Sequence, residues 1–384
     1  MADLSTTAPL TRASVQAAQA VIAAHVHRTP VVASQTLTAL ASTPRPDLAG
    51  TRFASAGRAP ARPTIRLWFK CENLQRVGAF KARGAFHAVA RLLRDDAWVA
   101  AGGRERGVAT HSSGYAGNHA QALALAAREH GIPAHIVMPS VSVPAKVAAT
   151  RGYGAHVVFS GSTAAEREAV AASVVAATGA RLVPPYDHPD IILGQGTMGL
   201  ELQEQAAALM ASPARPYASS GTALDAIMTP CGGGGMLSGV ALSCEGTGIR
   251  VFGAEPSFEG ADDAGRGFAA GERVAAVASR TVADGLRTPL GALPWDVMYT
   301  RGLVAGLYSV SEEEIVAAMR LVLERMKMVV EPSACVPLAV ALYDEDFRAM
   351  VEREAGEAGW DLGIVLSGGN VGVEALGELF GKGE

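Results

Sequence analysis

Cysteine, aromatic rings and charge are all sparse in this chain. Charged residues make up 18 % and aromatics 5 % of its 384 positions, and 33 basic residues face 37 acidic ones. The net charge of −4 carries no excess of either sign. Nucleic acid or an anionic membrane would call for a basic face, so neither is an expected partner. A small molecule is. The four cysteines, Cys71, Cys231, Cys244 and Cys335, are widely scattered and form no CxxC pair. That spacing argues against a disulfide framework and for reduced thiols inside a cell. No uncharged apolar run is long enough to span a bilayer. Residues 1–7 have neither the basic nor the apolar segment of a secretory signal. A cytoplasmic location is expected.

What the chain does have is apolar bulk, at 49 % of residues, and a length that suits two domains with a sizeable core. A helix is expected from Thr11 to about Val26, broken at Pro30. Residues from about Ala41 to Thr64 hold Pro44, Pro46, Pro60 and Pro63 without periodicity, and read as a surface loop or insertion. From Ile65 onward short apolar strands alternate with helical stretches. Strands are read at 65–69, 107–111, 134–138, 155–159, 226–230 and 250–252, and helices at 84–94, 118–129, 144–150 and 163–178. Such alternation predicts an α/β fold with parallel sheets. No repeat of solenoid type is present.

Four stretches could carry chemistry. Around Lys81 the sequence reads Gly78-Ala79-Phe80-Lys81-Ala82-Arg83-Gly84. A lysine among small and apolar neighbours loses affinity for its proton, as a nucleophilic lysine must, although a plain helix-start lysine would look similar. Gly232-Gly233-Gly234-Gly235-Met236 follows one expected strand and opens an expected helix. A tight turn needs one or two glycines, rarely four. Four let backbone N–H groups converge on a terminal phosphate at a helix N-terminus. The run is neither a P-loop nor a GxGxxG fingerprint. His111-Ser112-Ser113-Gly114-Tyr115-Ala116-Gly117-Asn118-His119 also lies between strand and helix, where hydroxyls and amides suit a carboxylate, or simply cap the helix. Val365-Leu366-Ser367-Gly368-Gly369-Asn370 ends a strand in small residues, with Ser367 as a partner for a ligand nitrogen or as an ordinary turn serine. Carboxylates also gather in Glu255-Pro256-Ser257-Phe258-Glu259-Gly260-Ala261-Asp262-Asp263, a hard-cation site or a solvated acidic loop.

In this order the motifs resemble the serine/threonine dehydratase and serine racemase family of pyridoxal-phosphate (PLP) enzymes. The likeness runs from about Ala18 to Gly372 and is strongest to eukaryotic-type serine racemases and 3-hydroxyaspartate dehydratases. It implies two open, twisted α/β domains of the tryptophan-synthase-β-like kind with the cofactor between them. Residues 107–194 would form the small, substrate-closing domain, and residues 1–106 and 195–384 the large PLP-binding domain. Lys81 would carry the cofactor, with Phe80 against its ring. Asn118 would meet the 3-oxygen, Gly232 to Gly235 and Met236 the phosphate, and Ser367 the ring nitrogen. Ser112, Ser113, Gly114, Asn118 and His119 would bind substrate, while Glu331 and Gly285 line the pocket. Glu255, the Ala261 carbonyl and Asp263 would hold Mg2+ (or Ca2+ or Mn2+). A homodimer is implied by analogy alone.

Two departures from the family pattern matter. The turn before His119 is longer than usual. Anchored on Gly117-Asn118-His119, it puts Ala116 where racemases carry the serine of the second face; anchored on Thr110 to Ser113, it puts Ser113 there. The metal loop is also long, leaving Asp262 and Asp263 as rivals. Dehydration of L-serine, L-threonine or 3-hydroxyaspartate to a 2-oxo acid and ammonia is the first reading, and racemisation the alternative. The turn lacks the Ser-Gly-Asn-Thr-Gly of cysteine-synthase-like enzymes, which ranks β-replacement lower. A dicarboxylate substrate would need an additional cation, and the sequence places none of Arg83, His119 and Arg151 in that role.

Overall fold

Three strands buried along their whole length set the frame of the larger sheet. Strands β2 (Ile65–Cys71), β7 (Ala226–Pro230) and β10 (Trp360–Leu366) are buried at every position. Burial on both faces is the signature of parallel strands covered by helices. The computed structural model describes residues 6–55, 57–112, 117–142, 144–218 and 221–381. With β1 (Val31–Ala33), β8 (Arg250–Pro256) and β9 (Gly306–Val310), these strands form a six-stranded sheet in the order β1-β2-β10-β7-β8-β9. Only β1 runs antiparallel. A second, wholly parallel sheet has the order β5-β4-β3-β6, from β3 (Val108–His111), β4 (Ala134–Pro139), β5 (His156–Ser160) and β6 (Arg181–Leu182).

The last strand of the chain inserts between β2 and β7, and its register places Leu366 opposite Cys71. The residues that follow the two strands therefore meet. The Phe80 N–H donates to the Ser367 carbonyl at 3.0 Å, and Ala79 bridges Gly368. In parallel sheets the carboxyl ends of the strands form one edge, where ligands bind. Here that edge gathers the Lys81 turn after β2, the glycine run after β7, Glu255 in β8 and Ser367 after β10.

Several sequence expectations need correction. Lys81 itself opens the helix Lys81–Leu92, three residues before the expected start at Gly84. The first helix is shorter, Arg12–Ile22. The Pro-rich segment is not wholly at the surface. A helix, Gln35–Ser42, enters it, and Leu48, Phe53 and Ala61 are buried. Arg348, itself fully buried, donates to the carbonyls of Ala41, Thr43 and Ala61 and so ties the segment down. The longest helix, Pro189–Ala211, has a weak amphipathic signature because it is buried on most sides over its first half. It runs unbroken through residue 194.

This long helix also anchors a buried ionic cluster. Arg83 donates to both oxygens of Glu72 and of Glu201, and Lys70 donates to Glu201 at 2.6 Å. Arg83, Lys70 and Glu72 have no exposed surface. Two cations and two carboxylates cancel, and Thr29, Thr197 and Gln205 satisfy further polar atoms. Breaking such a set strands a charge, so it specifies how the Lys81 helix docks more than it adds stability.

Candidate active site

Lys81 points into a cavity of about 360 Å³ at the strand edge. Its Nζ donates to the Pro185 carbonyl at 2.7 Å and lies 5.1 Å from the centre of the Phe80 ring. Burial of the ammonium lowers the Lys81 pKa to about 8, against a smaller opposing pull from Glu331. About a tenth of the amine is then neutral at pH 7, far more than for an ordinary lysine. The turn that delivers it is strained: Val77 has φ 55° and Gly78 φ 68°. A β-branched residue in the left-handed region is rare and is held only where its surroundings over-determine it.

The glycine run forms the opposite wall. At Gly233 a Cβ would come within 2.4 Å of the Tyr186 ring, and at Gly234 within 2.3 Å of a Leu290 methyl. Gly234 also has φ +81°. The helix Gly235–Cys244 starts there, and Gly232, Gly233, Gly234, Gly235 and Met236 line the cavity at its N-terminus. Free backbone donors at a helix N-terminus, with no side chain between them and a ligand, make an anion cradle.

Asn118 and His119 enter from the other sheet, at the start of the helix Asn118–Glu129 after β3. Asn118 Nδ2 donates to Glu331 Oε1 at 2.9 Å and its Oδ1 accepts from Asn370 at 2.7 Å. Glu331 is pushed up to about 7 by burial and by Asp284 nearby. His119 Nε2 contacts the Val183 carbonyl at 3.0 Å, while burial and Lys81 hold the ring down to about 3. The imidazole is therefore neutral, so Nε2–H is the donor to that carbonyl. Its Nδ1 has no partner among the described residues. Ser112 and Ser367 are both buried and line the same cavity.

Residues 45–357 match the family described as PALP, pyridoxal-phosphate dependent enzyme. The chain belongs to this family. It is 42 % identical over 313 residues to beta-hydroxyaspartate dehydratase of Paracoccus denitrificans, covering 81 % of this chain and 87 % of that one. It is 38 % identical over 371 residues to serine racemase of Oryza sativa subsp. indica, covering 96 % and 93 %. Among solved structures it resembles maize serine racemase, with a TM-score of 0.77, 38 % identity and 97 % of each chain covered. The fold is the type II PLP fold expected of its members.

Within this PLP enzyme the residues fit the cofactor chemically. A lysine with a lowered pKa, an amide, a hydroxyl and a side-chain-free anion cradle surround one cavity. Of the residues singled out in the sequence, Phe80, Lys81, Ser112, Asn118, His119, the four glycines, Met236, Gly285, Glu331 and Ser367 all line it. Ser113, Gly114 and Ala116 lie outside the described residues.

Glu255, Ala261 and Asp263 lie apart from this cavity lining. Glu255 accepts from the N–H groups of Ala264 and Gly265, at 3.0 and 2.8 Å. Asp263 Oδ2 accepts from Leu290 N at 2.9 Å, and its Oδ1 is buried with no partner among the described residues. Burial, then mutual repulsion, holds Glu255 well above the usual carboxylate range, and burial lifts Asp263 to about 6. Asp262 is instead paired with Arg266 at 2.9 Å near the surface. Among the described residues no group of three or more His, Cys, Asp or Glu side chains could hold a metal.

The candidates for an additional cation also separate. Arg83 is consumed by its buried cluster, His119 is neutral, and Arg151 lies over the exposed Phe159 ring. The cavity is instead lined by Arg167 and by Arg287, of which Arg287 donates to the carbonyls of Arg280 and Thr281. Arg167 Nε donates to His111 Nδ1 at 3.4 Å, and Glu168, which lines the same cavity, balances part of its charge. Between Glu166 and Glu168 in the first turn of the helix Ala164–Thr178, nothing in the sequence marks Arg167 out from a solvated charge.

Proposed function

We propose that this chain dehydrates a small β-hydroxy amino acid to a 2-oxo acid and ammonia, with a 3-hydroxyaspartate-type dicarboxylate preferred over L-serine or L-threonine. The observation that carries the substrate choice is Arg167, a half-buried guanidinium in the cavity that holds Lys81, Asn118 and Ser112. A second carboxylate on the substrate would pair with it in two-point fashion. The dehydratase of Paracoccus denitrificans, named for β-hydroxyaspartate, supports the same choice.

Bound PLP would supply the electron sink that makes the substrate's α-proton acidic. Lys81 would hold it covalently and, once released by the incoming amine, take the α-proton at Nζ. Gly232 to Gly235, Met236 and the helix N-terminus behind them would hold the phosphate. Phe80 would flank the ring, Asn118 would meet its 3-oxygen, and Ser367 its nitrogen. A serine there is a neutral partner, so the ring need not be protonated, which favours early loss of the β-hydroxyl. Ser112, Ser113, Gly114, Asn118 and His119 would bind the substrate's α-carboxylate side. On this reading residues 107–194 form the smaller, substrate-closing unit, and residues 1–106 and 195–384 the larger, PLP-binding one.

Glu255, the Ala261 carbonyl and Asp263 are the residues that would hold Mg2+ (or Ca2+ or Mn2+). The orphaned Asp263 oxygen and the strained pair of carboxylates are what a hard cation relieves. The same reading has the enzyme working as a homodimer in the cytoplasm. Racemisation is the second reading, favoured by the serine racemases to which the chain is similar. It needs an acid on the second face, for which Ser113 is the candidate.

The deciding assay is 2-oxo acid release from 3-hydroxyaspartate, L-serine and L-threonine, with and without Mg2+. Preference for 3-hydroxyaspartate supports the reading, and release from none of the three contradicts it. Formation of D-serine that disappears in Ser113→Ala would establish the racemase alternative.

A further inference from the structure

The Asn118 amide can sit either way round in its pocket, and only one of these orientations offers a donor to the cavity. Three neighbours decide between them. The Val77 carbonyl can only accept. It receives a 2.7 Å hydrogen bond from Asn370, so the Asn370 atom facing it is the nitrogen. That same nitrogen lies 2.7 Å from Asn118, so the Asn118 atom facing it is the oxygen. Asn118 must then turn its nitrogen the other way, where Glu331 accepts at 2.9 and 3.2 Å. Both N–H bonds of the Asn370 amide are spent, while the two Glu331 oxygens lie on one side of Asn118 Nδ2 and share a single N–H. One remains.

The relay starts from the strained turn. Val77 presents its carbonyl to Asn370 from the left-handed region, and Gly78 beside it has no room for a Cβ, which would meet Asn370 Oδ1 at 2.8 Å. The Gly369 N–H also donates to the Gly78 carbonyl at 2.9 Å. The chain from Val77 to Glu331 thus joins the turn that delivers Lys81 to the amide at the start of the neighbouring sheet's helix.

We infer that Asn370 and Glu331 are positioning residues that together fix the Asn118 amide with its remaining N–H available to the cofactor's ring oxygen. This rests on the reading of the cavity as a PLP site. Neither residue need touch the reacting atoms. Asn370 supplies the donor that Asn118 Oδ1 requires, and Glu331 supplies the acceptor.

The Glu331 end responds to pH. Asp284 from the segment Asp284–Leu286 and Lys146 from the helix Pro144–Gly152 face it, and these two are themselves paired at 3.6 Å. Lys81 from the helix Lys81–Leu92 also feels its charge, as does Cys335 on the helix that Glu331 caps. The Ser333 hydroxyl is engaged with Gly285 N. Glu331 loses its charge below about 7, and the Asn118 bond, which favours the ionised form, weakens as pH falls through that value.

The test is the dissociation constant of PLP, read from its visible absorption across pH 6 to 9, for wild type, Asn370→Asp and Glu331→Gln. Aspartate at 370 can only accept, so both Val77 O and Asn118 Oδ1 lose their donor. Affinity should fall about tenfold or more, with a changed spectrum. Glutamine at 331 still accepts, so affinity near pH 8 should stay within about threefold. Its pH profile should lose the step near 7 and keep the Lys81 step, moved down because the Glu331 charge no longer supports the ammonium. Folded Asn370→Asp with wild-type affinity and spectrum, or Glu331→Gln that keeps the lower step, overturns the proposal. If Asn370→Asp does not fold, the Glu331→Gln profile decides alone. A wild-type protein that binds no PLP overturns the functional reading and this inference together.

Discussion

Lys81 Nζ donates to the carbonyl of Pro185 at 2.7 Å, a contact between the start of one helix and the segment that leaves β6 of the other sheet. The amine is buried at this point, and its pKa is lowered to about 8. Only the neutral amine can attack a carbonyl. At pH 7 a pKa near 8 leaves about a tenth of it neutral, against well under a thousandth for an ordinary lysine. The rate at which cofactor-free protein takes up PLP should therefore rise with pH and level off above about 8. Stopped-flow absorption measures it, and a rate still climbing steeply at pH 10 would show that the amine is not buried as described.

The glycine run predicts a graded series. Gly233→Ala would drive a methyl into the Tyr186 ring, and Gly234→Ala would add backbone strain at φ +81° to a clash with Leu290. Both should weaken PLP binding by roughly tenfold or more, Gly234→Ala the more severely, by the cost of off-rotamer shifts and strained backbone. Equilibrium titration with PLP checks this. Unchanged affinity in both would remove the run from the phosphate role.

Arg167 predicts a change in preference. Arg167→Met should lower kcat/KM for 3-hydroxyaspartate by roughly 10- to 100-fold, the worth of a charge-assisted hydrogen bond. L-serine, which lacks the second carboxylate, should be affected far less. Equal losses on both substrates would assign Arg167 to the α-carboxylate or to the fold.

The buried cluster predicts a stability cost. Arg83→Met leaves Glu72 and Glu201 facing each other without their shared cation, and should destabilise the protein by about 3–5 kcal/mol. Thermal unfolding measures it. Replacing Arg83 and both carboxylates together by apolar residues should recover much of the loss, because no charge is then stranded.

The carboxylate loop predicts a cation effect. Mg2+ should raise the melting temperature of wild type and leave that of Asp263→Asn unmoved. A similar rise in both would place cation binding elsewhere.

The sequence was most legible where local chemistry alone dictates structure. Four glycines between strand and helix suggest an anion cradle before any fold is known, whereas a lysine among small residues reads on its own as a plain helix start. Long-range packing was less legible. Nothing local says that β10 inserts beside β2 and brings Ser367 to Phe80. The helix Pro189–Ala211 escaped because buried helices lose the amphipathic period that reveals surface ones. Arg167 escaped because it stands between Glu166 and Glu168 in the first turn of its helix, where a solvated charge looks the same. Asn370 was visible only as the end of a small-residue turn. Its two hydrogen bonds, to Val77 and Asn118, exist only once the sheets have met.

The central claim is that Lys81 holds PLP and drives dehydration. The most direct measurement is the visible absorption of purified protein reconstituted with PLP, taken on wild type and Lys81→Ala beside 2-oxo acid release from 3-hydroxyaspartate. The account predicts a coloured, active wild type and a Lys81→Ala protein that folds but loses both the lysine-bound absorption and the activity. A colourless wild type, or a Lys81→Ala variant that keeps its turnover, would contradict it.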